Sequence, residues 1–170
     1  AAAQSTDVLS VATDATFHHA PGDTEAPSSA GTTDNYAAGS FGTTDDTLPH
    51  TVKQTIDAIT KIGGKFIGIS VELGFGGSGP RKQEEYFALK TGTIVPSPDG
   101  ANCPHGIAGV NVPAVDDGTG KKVCPLVFSS ASSGSGIDTA IVDAITKLAT
   151  SVNFKTVWLE ARDNTATTFD

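Results

Sequence analysis

Residues 7–19 read Asp7-Val8-Leu9-Ser10-Val11-Ala12-Thr13-Asp14-Ala15-Thr16-Phe17-His18-His19. An apolar run stops abruptly at Thr13-Asp14, and a loop of small residues with two histidines follows. The run is short enough for a buried strand and too short for a helix. In an open α/β sheet, a polar group just past the C-terminal end of a strand stands at the rim where ligands bind. Asp14 occupies that position.

The next elements support a sheet of this kind. Val52, Ile56, Ile59 and Ile62 fall on one face at helical spacing, with Thr47 as the expected cap and Pro49 in the first turn. Gly63-Gly64 ends that helix. Lys65-Phe66-Ile67-Gly68-Ile69-Ser70-Val71 then reads as a strand buried on both faces. Strand, helix, strand suggests a parallel crossover unit. Gly74, Gly76, Gly77 and Gly79 follow without the Lys-Ser/Thr of a phosphate-binding loop, so they read as a rim loop. Pro80 opens a helix whose expected apolar face is Tyr86, Phe87 and Leu89. Val123-Cys124-Pro125-Leu126-Val127-Phe128 resumes a strand, and the helix from Ile137 is expected to bury Ile141, Ile145 and Leu148. Asp138 lies in that helix's first turn, where a carboxylate complements the dipole. The fold class is therefore α/β, half of a doubly wound, mostly parallel sheet flanked by helices.

Two stretches interrupt the pattern. Residues 20–47 are poor in apolar side chains and read as a long insertion loop. Residues 93–122 hold Pro96, Pro98, Pro104, Pro113 and the turn Asp116-Asp117-Gly118, and read as a second insertion. Cys103 and Cys124 lie in or beside it. The expected pairing is a disulfide, with two buried free thiols as the alternative.

Composition narrows the function. The 170 residues make one domain, with a net charge of −8 and no Lys/Arg cluster, which leaves nucleic-acid binding without support. No apolar run approaches the length needed to span a bilayer. Methionine is absent, and Ala1-Ala2-Ala3-Gln4 lacks the features of a signal peptide, so the expectation is a processed chain or a piece of a longer one. A Ser/Thr/Gly-rich, Lys-poor surface points to a secreted, periplasmic or cell-surface protein.

The order of motifs resembles a known family. Val11-Ala12-Thr13-Asp14-Ala15-Thr16-Phe17-His18, followed by Gly22-Asp23, is similar to the integrin β-subunit I-like domain, a relative of the von Willebrand factor A domain. Leu89-Lys90-Thr91-Gly92 resembles the end of the family's next helix. Ser133-Gly134-Ser135-Gly136 with Ile141-Val142-Asp143-Ala144-Ile145 resembles its last loop and helix. The likeness covers most of residues 7–150 apart from the second insertion, and only the C-terminal half of such a domain. Residues 151–170, where Val152, Phe154, Thr156 and Trp158 alternate with other residues, resemble the segment that exits into a neighbouring β-sandwich.

The resemblance implies a metal-ion-dependent adhesion site. In the family an Asp-x-Ser-x-Ser loop, a Thr from a middle loop and a rim Asp hold a divalent cation, and an acidic residue of the partner completes the shell. Asp14 matches the rim Asp, and no Asp-x-Ser-x-Ser occurs in this chain. Mg²⁺ or Ca²⁺ binding at Asp14 therefore needs ligands from another chain or segment. The expected ligand-binding rim is Asp14, Thr16, His18, Ser133 and Ser135. In this fold the strand before Asp14 has an N-terminal-half neighbour, so here it has an apolar edge to be covered by a second polypeptide or another copy.

Other constellations are weaker. Adjacent His18 and His19 could bind a transition metal, but they point apart on an extended segment and read instead as a satisfied or solvated pair. Glu84 and Glu85 face different directions on one helix and read as a solvated face, not a glycosidase pair. No Gly-x-Ser-x-Gly elbow follows a strand. The expectation is thus a non-enzymatic extracellular adhesion or ligand-binding module. The alternative is a structural subunit of a surface fibre or sheath assembled by strand-edge pairing.

Overall fold

A computed structural model describes residues 6–25, 36, 49–72 and 80–151. The first apolar run is a strand, β1 (Val8–Thr13). It lies parallel to β2 (Lys65–Glu72), in a register from Val8 opposite Lys65 to Thr13 opposite Ser70. The crossover between them carries α1 (Val52–Lys61).

The cap of α1 differs from the expected one. The Thr51 hydroxyl accepts the Gln54 N–H at 3.1 Å, and the Gln54 side chain accepts the Thr51 N–H at 2.8 Å. This reciprocal box satisfies two helix-end donors and starts the helix at Val52. Pro49 precedes the helix, and Thr47 lies outside the described residues. Val52, Ile56 and Ile59 are buried, whereas Ile62 is 63% exposed. It sits at the C-cap, just before Gly63 turns the chain through a left-handed conformation (φ +68°), and so leaves the helix face.

The third parallel strand is β8 (Val127–Ala131), which pairs with β2 to give the order β1–β2–β8. Between β2 and β8 lie α2 (Arg81–Lys90) and a region of short antiparallel ladders. The expected face of α2 is only partly right. Phe87 is buried, but Tyr86 and Leu89 are half-buried, and Glu84, Ala88 and Thr91 complete the inward stripe with it. These positions follow the i, i+3, i+4, i+7 rule even though two of them are polar. Gly68 explains their choice. A Cβ placed there would lie 2.8 Å from the Glu84 Cβ, so α2 sits directly on the β2 backbone.

Residues 93–122 are not a plain loop. They contain β3 (Ile94–Pro96), β4 (Asn102–Cys103), a 3₁₀ turn (Ile107–Gly109), β5 (Val112–Pro113) and β6 (Val115–Asp116). The run expected as one strand over 123–128 is divided between two sheets. Its first part is β7 (Lys122–Pro125), antiparallel to both β3 and β6. Leu126 is the junction. Its N–H donates to the Thr93 carbonyl at 3.0 Å, and its carbonyl accepts the Gly68 N–H at 3.1 Å.

A disulfide joins Cys103 of β4 to Cys124 of β7, with a Cα–Cα distance of 5.5 Å. It holds the ladders beside β8, where the Ser129 N–H donates to the His105 carbonyl at 2.7 Å. The Arg81 guanidinium also donates to the Val127 carbonyl at 3.0 Å. The outer edge of β8 is therefore met by this region and by Arg81 of α2.

The last helix, α3 (Ile137–Ser151), buries Ala140, Ala144 and Leu148. Ile141 is half-buried, and Ile145 is 52% exposed, contrary to expectation. The small alanines let α3 approach Ile67, Leu126 and Phe128 closely, and the larger Ile145 is turned away. The glycines at 74–79 and the expected exit segment after Ser151 lie outside the described residues.

Removing the disulfide by Cys103→Ser with Cys124→Ser lowers stability by about 3 kcal/mol. Urea unfolding of the variant against the oxidised parent measures it, and an unchanged midpoint overturns the assigned anchoring role.

Candidate functional site

Because all three long strands run the same way, their C-terminal ends share one rim. Asp14 lies there, exposed, just past β1. The Thr13 hydroxyl donates to the Ala15 carbonyl at 2.9 Å and accepts the Ala15 N–H at 3.1 Å, which fixes the turn at Asp14. Thr16 is half-buried. Gln83 clamps the next residue through its side-chain amide, which accepts the Phe17 N–H at 2.6 Å and donates to the Phe17 carbonyl at 3.4 Å. The Phe17 ring meets Phe87 edge-on at 5.6 Å.

The two histidines diverge. His18 is exposed with its ring 5.1 Å from that of Tyr36, and His19 is buried with Nδ1 3.5 Å from Asp23 Oδ2. The same Asp23 oxygen accepts the Val52 N–H at 2.6 Å, a carboxylate at the N-terminus of α1. The loop after β1 is thus tied to both α1 and α2.

Ser133 and Ser135 follow β8 and are exposed at the same end as Asp14. Ser133 Oγ accepts the Ser135 N–H at 3.4 Å. β2 separates their strand from that of Asp14, a span of about 10 Å at ordinary strand spacing. Among the described residues, no group of three or more His, Cys, Asp or Glu side chains is placed to hold a metal ion.

A groove of about 400 Å³ opens between the 3₁₀ turn and the start of α3. Ser129, Ser135, Thr139 and Asp143 supply its polar lining, and Phe128 and Ala108 part of its apolar lining. Ala108 has left-handed backbone (φ 54°, ψ 29°), an uncommon state for a residue with a side chain. Beneath the groove the His105 ring stacks on Phe128 at 4.4 Å, and Lys147 Nζ stands 5.1 Å from the Phe128 ring centre. Burial pushes the His105 pKa down to about 4, with the Lys147 charge acting in the same direction. Its Nδ1 lies 3.0 Å from the Pro125 carbonyl oxygen. This imidazole is neutral at pH 7 and structural. Sequence reasoning singled out only Ser135 here. Thr139 and Asp143 carry a recognisable one-turn spacing, but nothing local signals the 3₁₀ turn opposite them.

A polar layer lies inside the rim. Thr13, Ser70 and Ser129 stand opposite one another across the three strands, on the face covered by α2. Arg81 donates to Ser129 Oγ at 2.7 Å and pairs with Glu85 at 2.8 Å. Glu84, expected in a solvated face, is fully buried, and Glu85 is largely so. Among the described residues, no hydrogen bond of normal geometry reaches the Glu84 oxygens or Ser70 Oγ. Burial pushes the Glu84 pKa up to about 8, against the pull of Arg81.

Comparison with protein-family models, with curated proteins and with solved structures returns no match.

The folded state keeps a proton on Glu84 between its ordinary pKa of 4.5 and about 8, whereas the unfolded chain has lost it. This group therefore makes stability fall as pH rises through that window, by up to about 1.4 kcal/mol per pH unit. Glu84→Gln removes that slope. Parallel denaturation series at pH 5, 6.5 and 8 read the difference between the two proteins, and identical slopes overturn the assignment.

Proposed function

We propose that the chain is an extracellular adhesion or ligand-binding module. On this reading it is the C-terminal half of a von Willebrand factor A-like domain of the integrin β I-like kind, and it carries out no bond-making chemistry. The observation that carries the reading is the parallel order β1–β2–β8, which brings Asp14, Ser133 and Ser135 to one rim. The groove between the 3₁₀ turn and α3 extends that rim.

Mg²⁺ or Ca²⁺ enters this reading only through Asp14, with the remaining oxygen ligands coming from another chain or segment. Thr16 and His18 flank Asp14 in the same loop. A second polypeptide completing the sheet at β1 belongs to the same proposal. Secretion, a periplasmic location or display at the cell surface follows from it, and nucleic acid has no part in it. No helix among the described residues is long and apolar enough to cross a membrane.

One observation favours the second reading, a fibre or sheath subunit. Val8 and Leu9 on β1 are 44% and 45% exposed, and no described residue pairs with the outer side of that strand. An edge of this kind templates assembly.

Natively isolated material, with any accompanying polypeptide retained, distinguishes the two. The adhesion reading predicts Mg²⁺-dependent binding of that polypeptide, weakened at least about tenfold by chelator and by Asp14→Ala. Binding indifferent to both overturns it. Concentration-dependent filaments in sedimentation that ignore chelator establish the second reading in its place.

A further inference from the structure

Beside β1, on the α1 side of the sheet, lies a cavity of about 200 Å³. Its walls are largely apolar, with Leu9 and Val11 from β1, Ile59 from α1, Phe66 from β2 and Phe87 from α2. Three of the chain's four histidines, His18, His19 and His50, also line it. His18 and His50 are exposed, so they stand where the cavity meets solvent. His19 is inside, its side chain 7% exposed. Its Nδ1 lies 3.5 Å from Asp23 Oδ2, and among the described residues no hydrogen bond of normal geometry reaches it. A buried polar nitrogen in that state costs free energy that a hydrogen-bonding partner recovers.

The imidazoles are held in place from both sides of the cavity. The Ala20 N–H donates to the His50 carbonyl at 3.2 Å, which ties the two histidine-bearing segments together. Asp23, beside His19, accepts the Val52 N–H at 2.6 Å. Preformed apolar walls with a few convergent polar groups are the make-up of a small-molecule site. Size selects the ligand's body. An apolar cavity of about 150 Å³ accommodates a benzene ring, so this space takes one ring and one small substituent. Charge selects its head. A carboxylate at His19 would also face Asp23, and an ammonium would lose its water among Leu9, Phe66 and Phe87. A hydroxyl is neutral, and because it both donates and accepts it pairs with an imidazole in either tautomer.

We propose that this cavity is a binding site for a small neutral compound of the phenol class, its ring held between β1, α1 and Phe87 and its hydroxyl hydrogen-bonded to the His19 imidazole. The site does not depend on how the rim or the β1 edge is used.

The test titrates the unaltered chain with phenol, toluene and benzoate, followed by methyl and ¹⁵N-imidazole NMR. Phenol and toluene have nearly the same shape, and transfer out of water alone favours toluene because its methyl group replaces a solvated hydroxyl. A preference for phenol therefore reports the hydrogen bond. The expected result is that phenol shifts the Leu9, Val11 and Ile59 methyls and the His19 ring nitrogens, and binds at least about tenfold more tightly than toluene or benzoate. Leu9→Trp, at a wall residue that is 45% exposed, is expected to fill the cavity and abolish phenol binding. The three ligands are compared on the unaltered chain, so the outcome does not depend on that variant folding. Toluene binding as tightly as phenol overturns the hydroxyl assignment, and tightest binding of benzoate replaces it with an anion site. Binding of none overturns the proposal. Contacts to the Leu9 and Val11 methyls from the chain between Glu25 and Pro49 would then assign the cavity to this chain's own side chains.

Discussion

The close approach of α2 to β2 at Gly68 is the contact on which the site depends. A side chain at Gly68 would collide with the Glu84 Cβ. Its absence lets Phe87 and Ala88 settle into the cluster that contains Phe66 and Val127, with Val11 packed against it. The same approach puts Gln83 within reach of the Phe17 backbone and Arg81 within reach of Ser129 and the Val127 carbonyl. One helix therefore fixes both the loop after β1 and the far edge of β8. The cost is a carboxyl group held in the core, tolerable because it stays protonated there.

Much of the framework is legible in the sequence, because strand and helix periods differ and the turns between them carry glycine or proline. β1, α1 and β2 follow from that contrast. What escapes is set by distance between elements, which periodicity does not encode. Choosing the largest apolar residues selects Ile145, yet α3 packs through Ala140 and Ala144 because small side chains allow closer contact. Glu84 is buried for the same reason, since its position is decided by Gly68 and not by its own polarity. Ile62 obeys the helical spacing but lies beyond the last turn.

The division at Leu126 escapes for another reason. An apolar run looks alike whether it pairs with one sheet or two, and the change of partner is written in the carbonyl of Thr93 and the N–H of Gly68. At the site, the positions of Asp14 and Ser135 at one rim were readable from strand direction alone. His105 and Ala108 were not, because the insertion that holds them meets Arg81 of α2 and Asp143 of α3 only through tertiary contacts.

The ladders of that insertion also make the sheet asymmetric. Parallel sheets are ordinarily covered on both faces, and their edge strands are protected. Here the disulfide-linked region supplies a carbonyl to the β8 edge, while no described residue pairs with the outer side of β1, where Val8 and Leu9 are exposed. The rim and the β1 edge are not independent surfaces. Phe17 lines the cavity beside β1, belongs to the loop that begins at Asp14, and is held by Gln83 of the helix seated on Gly68. The physical link between edge and rim is thus one aromatic ring and one amide clamp, both inside the core that Gly68 permits.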